Sequence, residues 1–197
     1  MMKRVFDIVF ALVMLLLFAP LFFFLACWIS MDSRGGVFFG QERVGLNGIF
    51  FKLWKFRTMR PMSEQHGQLT VGASDARITR AGYYLRKFKV DELPQLWNVV
   101  LGDMSVVGPR PEVPRYVAHY TLEQRQVLEV RPGITDYASL EYFSESELLA
   151  ASKNPEQTYL QEIMPAKLRL NLAYIRNRSF WGDVRVIYLT GRRIVKA

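Results

Sequence analysis

Cysteine and histidine are scarce in this chain, which has one cysteine and two histidines among 197 residues. A single cysteine cannot form an intrachain disulfide, and so few thiol and imidazole groups exclude the common zinc sites. Internal repeats and low-complexity tracts are also missing from the sequence. These absences exclude a disulfide-stapled module and a repeat protein, and they are typical of a domain in a reducing compartment.

Negative charge is also in short supply. The chain has 26 Lys and Arg against 18 Asp and Glu, which gives a formal net charge of +8. Such an excess indicates a polyanionic partner, which is nucleic acid, an anionic lipid surface or a phosphorylated substrate. The length suits one compact domain plus an appendage.

Charged residues are absent from residues 8–31, where most positions are Leu, Phe, Val or Ala. This stretch is long enough to cross a bilayer as one helix. However, Pro20 lies near its middle, where proline removes a backbone hydrogen bond and bends a helix. Cations flank both ends, at Lys3 and Arg34, so the positive-inside bias does not favour placing the ends on opposite faces. We expect residues 1–34 to enter the membrane, bend and return, and a single spanning helix is the alternative.

Two stretches rich in β-forming residues follow, at residues 37–44 and 49–59. The Asn47-Gly48 pair between them is a strong signal for a β-hairpin. Lys55 and Arg57 share one face of the second strand, because side chains alternate along a strand. Two cations on a rigid strand can bind phosphate oxygens. Alternatively, they protect an exposed strand edge from unwanted pairing.

The chemically richest stretch is residues 83–111. An apolar stripe at helical spacing runs through it, formed by Leu93, Leu96, Trp97 and Val100. Pro94 is tolerated only in a first helical turn, and Gly102 is a natural helix stop. The pattern therefore predicts a helix that begins near Asp91 and ends before Gly102.

Two adjacent carboxylates stand at the start of this predicted helix. Asp91 falls opposite the apolar stripe together with Gln95 and Asn98, and Glu92 falls at its edge. A helix start favours anions, including a bound phosphate. The carboxylates are therefore candidates for chemistry on a phosphorylated substrate, and a helix N-cap is the alternative role of Asp91.

Several motifs follow one another in a fixed order over most of the chain. They are Lys55-Phe56-Arg57-Thr58-Met59, Asp75-Ala76-Arg77-Ile78-Thr79, Leu85-Arg86-Lys87, Asp91-Glu92-Leu93-Pro94-Gln95-Leu96, Gly102-Asp103-Met104-Ser105, Gly108-Pro109-Arg110-Pro111 and Arg131-Pro132-Gly133-Ile134-Thr135. Together they resemble the bacterial sugar transferases, and more narrowly the small monotopic phosphoglycosyl transferases.

That resemblance implies a fold, a location and a reaction. The expected fold class is α+β, mainly helical with a small antiparallel β-hairpin and an N-terminal re-entrant (helix-break-helix) membrane anchor. Residues 1–34 would form the anchor, and residues 35–197 a catalytic domain with interfacial helices at the cytoplasmic face of the bacterial inner membrane. The expected reaction moves a sugar-1-phosphate from a UDP-sugar to polyprenyl (undecaprenyl) phosphate, which initiates assembly of a membrane glycoconjugate.

The resemblance also assigns roles to residues. Asp91 would be the nucleophile that forms an aspartyl phospho-sugar, and Glu92 would assist by binding Mg²⁺, the expected cofactor. The cations expected to bind the donor are Lys55, Arg57, Arg77, Arg86, Arg110 and Arg131. Arg110 lies between two prolines, so a purely structural turn is its alternative. The expected partners are the donor, the lipid acceptor and membrane lipid, but not nucleic acid.

Three positions depart from the family pattern. Ala19 precedes Pro20 where relatives have Ser, residues 136–140 replace a Gly-Trp-Ala-Gln stretch, and Asn171 stands where relatives often place Asp. Sugar specificity is therefore not carried over from the family. A membrane-tethered basic binding module without catalysis is the rival function. It explains the charge and the anchor, but it leaves the Asp-Glu pair without a role.

Overall fold

The fold is mainly helical and contains a small two-stranded antiparallel sheet, which confirms the predicted fold class at that level. The computed structural model describes residues 2–61, 71–72 and 75–196. A polar loop that the composition predicts at residues 63–74 lies largely outside the described residues.

A bent pair of helices begins the chain. Helix α1 spans Met2–Leu17 and helix α2 spans Ala19–Asp32, with a bend of 61° between them. Pro20 lies in the first turn of α2, and its ring has no N–H for the carbonyl one turn earlier. No single helix among the described residues is long and apolar enough to cross a membrane. The bent pair taken together passes that test of length and composition.

Both outer ends of the bent pair are hydrogen-bonded to the same folded body. Near the start of α1, the buried Asp7 carboxylate accepts hydrogen bonds from Ser105 Oγ at 2.8 Å and from Val106 N at 3.2 Å. At the end of α2, Asp32 Oδ2 accepts a hydrogen bond from Ala81 N at 3.0 Å. Both outer ends of the helix pair are therefore fixed to one body.

The predicted β-hairpin is present. Strand β1 spans Phe38–Val44 and strand β2 spans Phe50–Phe56, in antiparallel register with Phe38 opposite Phe56. Asn47 and Gly48 in the connection have φ values of 55° and 77°. Asparagine and glycine tolerate this left-handed backbone better than other residues, which is why their pair predicts the turn correctly.

The helix predicted to begin near Asp91 begins later. Helix α3 spans Arg80–Lys87, a single 3₁₀ turn spans Val90–Glu92, and helix α4 spans Gln95–Leu101. Lys89 has a left-handed backbone with φ of 54°, which separates α3 from the turn. Asp91 therefore lies in the connection before α4, and the prediction of one helix from Asp91 onward is wrong.

The faces of α4 also differ from the prediction. Gln95 and Asn98 are buried, whereas Trp97, which the apolar stripe places in the core, is 51% exposed. Asn98 Oδ1 accepts a hydrogen bond from Trp54 N at 3.0 Å, and its Nδ2 donates to Lys52 O at 2.8 Å. Since these bonds satisfy the Asn98 carboxamide against β2, its polar side chain becomes part of the interior.

A short parallel strand pair follows α4. Strand β3 spans Ser105–Val107 and strand β4 spans Gly133–Thr135. The backbones of the two segments are in direct contact at Gly108, just after β3, and Gly133, the first residue of β4. A Cβ atom on either glycine would overlap the backbone of the opposite segment. This close approach fixes the start of the segment that carries Arg110.

Further helices complete the fold around shared apolar cores. They are α5 (Pro114–Val117), α6 (Tyr137–Glu141), α7 (Glu145–Ala150), α8 (Pro155–Thr158), α9 (Met164–Arg176) and α10 (Phe180–Val195). After α5, the chain forms a 3₁₀ segment at Gln124–Glu129, and Tyr120 and Val127 enter the same core as the α9 residue Leu168. Helices α6, α9 and α10 thereby close one side of a large cleft.

Candidate active site

A cleft of about 1330 Å³ lies between the bent helix pair, the hairpin, the α3–α4 segment and the last helices. Apolar side chains of the helix pair form part of its wall, namely Phe10, Met14, Phe18 and Leu21. Cations form another part, namely Arg43, Lys55, Arg86, Lys89, Arg110 and Lys167. Asp91 and Glu92 line the same space. The cleft therefore joins an apolar wall, a cationic wall and two carboxylates.

Asp91 is buried in this wall and is only 6% exposed. Its Oδ1 atom is buried and has no hydrogen-bond partner among the described residues. Lys89 precedes the 3₁₀ turn and Pro94 precedes α4, so Asp91 caps neither of them. Burial raises the pKa of the Asp91 carboxyl; the Lys55 cation opposes this shift, and the Glu92 charge adds to it. The N-cap alternative is thus excluded, and the carboxylate oxygen is free to meet a ligand.

Glu92 has the opposite surroundings. Its Oε1 accepts a hydrogen bond from Lys55 Nζ at 3.0 Å, and its Oε2 accepts one from Arg110 Nη1 at 3.0 Å. Arg110 Nη2 also donates to Oε1. Burial alone would raise the pKa of Glu92, but the charges of Arg110 and Lys55 outweigh burial and hold the pKa well below its usual value. Glu92 is therefore ionised in the folded protein at neutral pH.

Arg110 is held by its main chain as well as by its side chain. The Arg110 backbone N–H donates to Asp136 Oδ2 at 3.0 Å, and Asp136 Oδ1 accepts a hydrogen bond from Ser139 N at 2.5 Å. Asp136 is fully buried and caps helix α6. One carboxylate therefore joins the start of α6 to the arginine that pairs with Glu92.

Lys55 and Arg57, which are predicted to bind phosphate together, both line the cleft, but each one is held by a different partner. Lys55 pairs with Glu92, whereas Arg57 Nη2 donates to Ser33 O at 2.7 Å and to Ser33 Oγ at 3.1 Å. Arg57 is buried beside the end of α2, although it still lines the cleft. Lys55 of β2 and Arg57, which follows the strand, thus contact different partners.

Arg86 and Arg77 lie along the same wall. Arg86, in the last turn of α3, is near Thr58 Oγ1 at 3.5 Å, and its charge opposes the upward shift of the Asp91 pKa. Arg77 binds the Asp75 carboxylate, with Nη2 to Oδ2 at 2.6 Å, and this bond lowers the pKa of Asp75. Both arginines line the cleft, and Arg86 is the one within electrostatic reach of Asp91.

Arg131 lies elsewhere. Its Nε donates to Gly102 O at 2.9 Å, just beyond the end of α4. Arg4 Nη2 donates to Val99 O at 2.7 Å in the last turn of the same helix. Cations at a helix C-terminus satisfy free carbonyls and oppose the negative end of the helix dipole. The structure therefore gives Arg131 a position at the end of α4 and does not bring it to the cleft.

The whole chain, residues 1–197, matches the family model described as bacterial sugar transferase. The chain belongs to the bacterial sugar transferase family. Curated relatives with detailed names match it over nearly its full length.

A relative from Komagataeibacter xylinus, named undecaprenyl-phosphate glucose phosphotransferase, is 38% identical over 97% of this chain and 35% of its own. A relative from Aeromonas hydrophila, named UDP-N-acetylgalactosamine-undecaprenyl-phosphate N-acetylgalactosaminephosphotransferase, is 37% identical over 98% of this chain and 43% of its own. The uncharacterized sugar transferase EpsL of Bacillus subtilis is 35% identical over 98% of this chain and 87% of its own. This sugar transferase chain therefore spans less than half of the first two relatives.

Asp91 and Glu92 are two adjacent carboxylates in the wall of this sugar transferase cleft. Among the described residues, no three Asp, Glu, His or Cys side chains converge on one point. Mg²⁺ is commonly bound by one or two carboxylates, with substrate phosphates and water completing its shell. The unpartnered Oδ1 of Asp91 and the ionised Glu92 fit such a donor set. The residues of the sugar transferase thus fit Mg²⁺ only when substrate oxygens share it.

Asp136 and Arg43 are among the residues at the site that the sequence did not identify. Asp136 stands in a stretch that departs from the family pattern, and an Asp before a short helical segment is an N-cap signal. Arg43, which lines the cleft and donates to Glu112 Oε1 at 3.2 Å, lies on β1 without any motif. Hydrogen bonds between segments distant in the sequence place both residues, so local pattern could not identify their partners.

Proposed function

We propose that this sugar transferase moves a sugar-1-phosphate from a UDP-sugar to polyprenyl phosphate. The names of the relatives from Komagataeibacter xylinus and Aeromonas hydrophila describe such transfers of glucose or N-acetylgalactosamine phosphate. The observation that carries the proposal is the cleft, in which the unpartnered Asp91 oxygen lies among cations and beside apolar side chains of the helix pair. A nucleotide sugar needs the cations, and a long-chain lipid phosphate needs the apolar wall.

In the first half-reaction, an Asp91 oxygen attacks the phosphorus that bears the sugar. A P–O bond forms to the carboxylate, the P–O bond to UMP breaks, and UMP leaves with the electron pair. The intermediate is an aspartyl phospho-sugar, a mixed anhydride. Support comes from the position of Asp91, whose Oδ1 is bonded to no donor that would have to be displaced before attack.

In the second half-reaction, an oxygen of polyprenyl phosphate attacks the same phosphorus. The new P–O bond forms to the lipid phosphate, and the bond to Asp91 breaks and regenerates the carboxylate. Phe10, Met14 and Phe18 line the cleft on the helix pair and offer the lipid an apolar approach to Asp91. A single carboxylate can therefore serve both half-reactions in turn.

The cations of the cleft neutralise the diphosphate and the departing UMP. Arg110 and Lys55 hold Glu92 in the apoprotein, and Arg86 lies near Asp91. Glu92, with the oxygens of the diphosphate, would hold Mg²⁺, which when bound draws negative charge from the phosphates. The chain's own cations provide preorganised positive charge in the same wall, so the leaving group develops its charge in a favourable field.

We further propose that the bent helix pair is a re-entrant anchor at the cytoplasmic face of the bacterial inner membrane. The two ends of the pair bond to the same body through Asp7 and Asp32. Exposed apolar side chains cover the pair, among them Val9, Leu12, Leu16, Phe23 and Phe24. A shallow entry of this kind would hold the cleft at the level of lipid headgroups, where the acceptor phosphate lies.

The proposed function is tested by incubating the membrane-bound protein with polyprenyl phosphate, Mg²⁺ and a panel of UDP-sugars. We expect release of UMP together with a lipid-linked diphosphate sugar from at least one donor. Binding of UDP-sugars or anionic vesicles without UMP release from any donor would favour the rival, a membrane-tethered basic binding module.

A further inference from the structure

The cleft wall contains two uncharged polar groups that lack partners. Ser139 Oγ and Asn171 Oδ1 are both buried without a hydrogen-bond partner among the described residues, and both residues line the cleft. Asn171 is only 4% exposed. Buried polar atoms nearly always find a partner, and leaving one without a partner is destabilising. Such groups in the wall of a cleft are therefore arranged for a ligand that supplies the missing hydrogen bonds.

The two groups lie on helices that pack against each other. Ser139 is on α6 and Asn171 is on α9, and the two helices are in contact. Tyr137 of α6 and Tyr174 of α9 have ring centroids 6.2 Å apart, which adds to this packing. One rigid surface therefore presents a hydroxyl and a carboxamide to the same cleft.

A short series of bonds connects this surface to the carboxylates. Ser139 N donates to Asp136 Oδ1, and the other oxygen of Asp136 accepts from Arg110 N. The Arg110 side chain in turn pairs with Glu92. Asp136 therefore links the Ser139 backbone to the backbone of the arginine that pairs with Glu92.

The chemistry of the two groups indicates which part of a donor they meet. Phosphates are served by Lys55, Arg86 and Arg110, and a hydrocarbon chain makes no hydrogen bonds. A hydroxyl and a carboxamide can both donate and accept, which suits the hydroxyl and acetamido groups of a hexose. We propose that Ser139 and Asn171 hydrogen-bond the sugar of the donor and determine which sugar is accepted. This inference rests on the proposed function. It assigns a role to Ser139, within the departing stretch 136–140, and to Asn171, which also departs from the family pattern.

The test compares Ser139→Ala and Asn171→Leu with wild type, using kcat/KM for a panel of UDP-sugars that differ at single hydroxyl or acetamido groups. For the preferred donor we expect each variant to lose roughly tenfold in kcat/KM, the value of one good hydrogen bond. For a donor that lacks the sugar group contacted by the substituted residue, we expect no loss in kcat/KM. The order of the UDP-sugars by kcat/KM should therefore change in each variant. Inhibition by UMP should be unchanged.

Thermal unfolding separates this role from a structural one. Since each substitution removes a polar group that has no partner in the apoprotein, we expect the Tm to stay constant or rise. The matched control is Asn177→Ala, at the exposed end of the same helix α9, which should leave the ranking of sugars unchanged.

Three results would overturn the inference. One is an equal loss for every donor together with a lower Tm, which indicates a structural role. Another is an equal weakening of UMP inhibition, which indicates contact with the nucleoside. The third is an unchanged ranking in active variants, which refutes the sugar contact while the proposed function stands. A wild-type protein that uses no UDP-sugar would instead refute the proposed function and this inference with it.

Discussion

Two neighbouring carboxylates in one wall of the cleft differ in acidity because of the groups that each one touches. Both Asp91 and Glu92 are removed from water, which disfavours their charged forms. Glu92 is bonded to Lys55 and Arg110, whereas Asp91 Oδ1 is bonded to none of the described residues. Glu92 is thus ionised and already paired, whereas Asp91 is less acidic and has a carboxylate oxygen without a partner. This division fits a metal or charge ligand beside a nucleophile.

We expect Asp91→Asn to reduce turnover by roughly 10³-fold or more while the fold is retained, because an amide is a poor nucleophile. Its Tm at pH 7 should equal or exceed that of wild type. The folded-state pKa of Asp91 is raised, so its contribution to stability is lost as the pH rises through that pKa. The Tm difference in favour of the variant should therefore shrink towards pH 4. UMP release and thermal unfolding in one detergent measure both effects.

The control for Asp91→Asn is Glu123→Gln, which removes an exposed carboxylate paired with Arg176. This variant should change neither the turnover nor the Tm. Incubation of wild type with radiolabelled donor and no lipid should also leave a phospho-sugar on the protein that hydroxylamine removes. An Asp91→Asn variant with wild-type kinetics would end the covalent mechanism.

The pH dependence of the reaction follows from the same wall. Since attack requires the ionised carboxylate, the acidic limb of the kcat/KM profile should lie above the ordinary Asp value of about 3.9. Lys55 opposes the upward shift of the Asp91 pKa. Lys55→Met should therefore move the acidic limb to higher pH, besides lowering kcat/KM. Initial rates of UMP release across a range of pH give the position of the acidic limb. As a control, Lys153→Met replaces an exposed lysine and should leave the acidic limb at the same pH. A limb that stays or moves down in Lys55→Met would show that Asp91 does not set it.

At the scale of helices and strands, local signals predicted the elements whose cause is local. Asn47 and Gly48 predicted the hairpin because both adopt the left-handed backbone, and Gly102, with φ of 105°, ends α4 as expected. The start and the faces of α4 were missed, because they depend on contacts across the fold. Asn98 is buried by its bonds to the backbone of β2, and periodicity counts such a residue as exposed.

The candidate site shows the same limit. Motif resemblance brought Asp91, Glu92 and Arg110 forward, and the structure places all three in one cleft. Motif membership also brought Arg131 forward, yet its partner is the carbonyl of Gly102 at the end of α4. A cation within a motif is thus predictable as a feature, but its partner depends on tertiary packing.

The close contact of β3 with β4 positions Arg110, and Gly133→Ala tests this dependence. A Cβ at position 133 would overlap the backbone N and O of Gly108, so the strands must separate. We expect a loss of about 1–3 kcal/mol in the free energy of unfolding, the usual cost of overpacking. Pro109 and Arg110 directly follow Gly108, so a displacement of Gly108 would also move Arg110 and lower kcat/KM. Urea unfolding in detergent and UMP release measure the two effects.

The matched control for Gly133→Ala is Gly191→Ala in α10, where a Cβ would meet nothing within 4 Å. Alanine is the better helix former, so this variant should gain about 0.5–1 kcal/mol in stability. If Gly133→Ala behaved like its control, the strand contact would not be the constraint that positions Arg110.

At the scale of the whole molecule, the bent helix pair and the body that contains the cleft form one unit. The buried carboxylate of Asp7 holds α1 against β3, Lys3 Nζ donates to Asp183 Oδ2 at 2.5 Å, and Asp32 holds the end of α2 at α3. A straight spanning helix would carry one end across the membrane and break one set of these bonds. Breaking the Asp7 set would strand a buried carboxylate without its donors, which is costly. Retention of both sets favours the re-entrant path.

Single cysteines at Met2 and Gly36, both exposed, test the re-entrant path in a Cys27→Ser background. A membrane-impermeant maleimide should label both positions in inverted vesicles and neither in intact spheroplasts. A cysteine at Leu17, next to the bend, should be labelled only after detergent is added. Pro20→Leu restores a backbone N–H and permits a straight helix, so part of that population should expose Met2→Cys to the periplasm. Periplasmic labelling at position 2 with Pro20 intact would establish a spanning helix and overturn the re-entrant anchor.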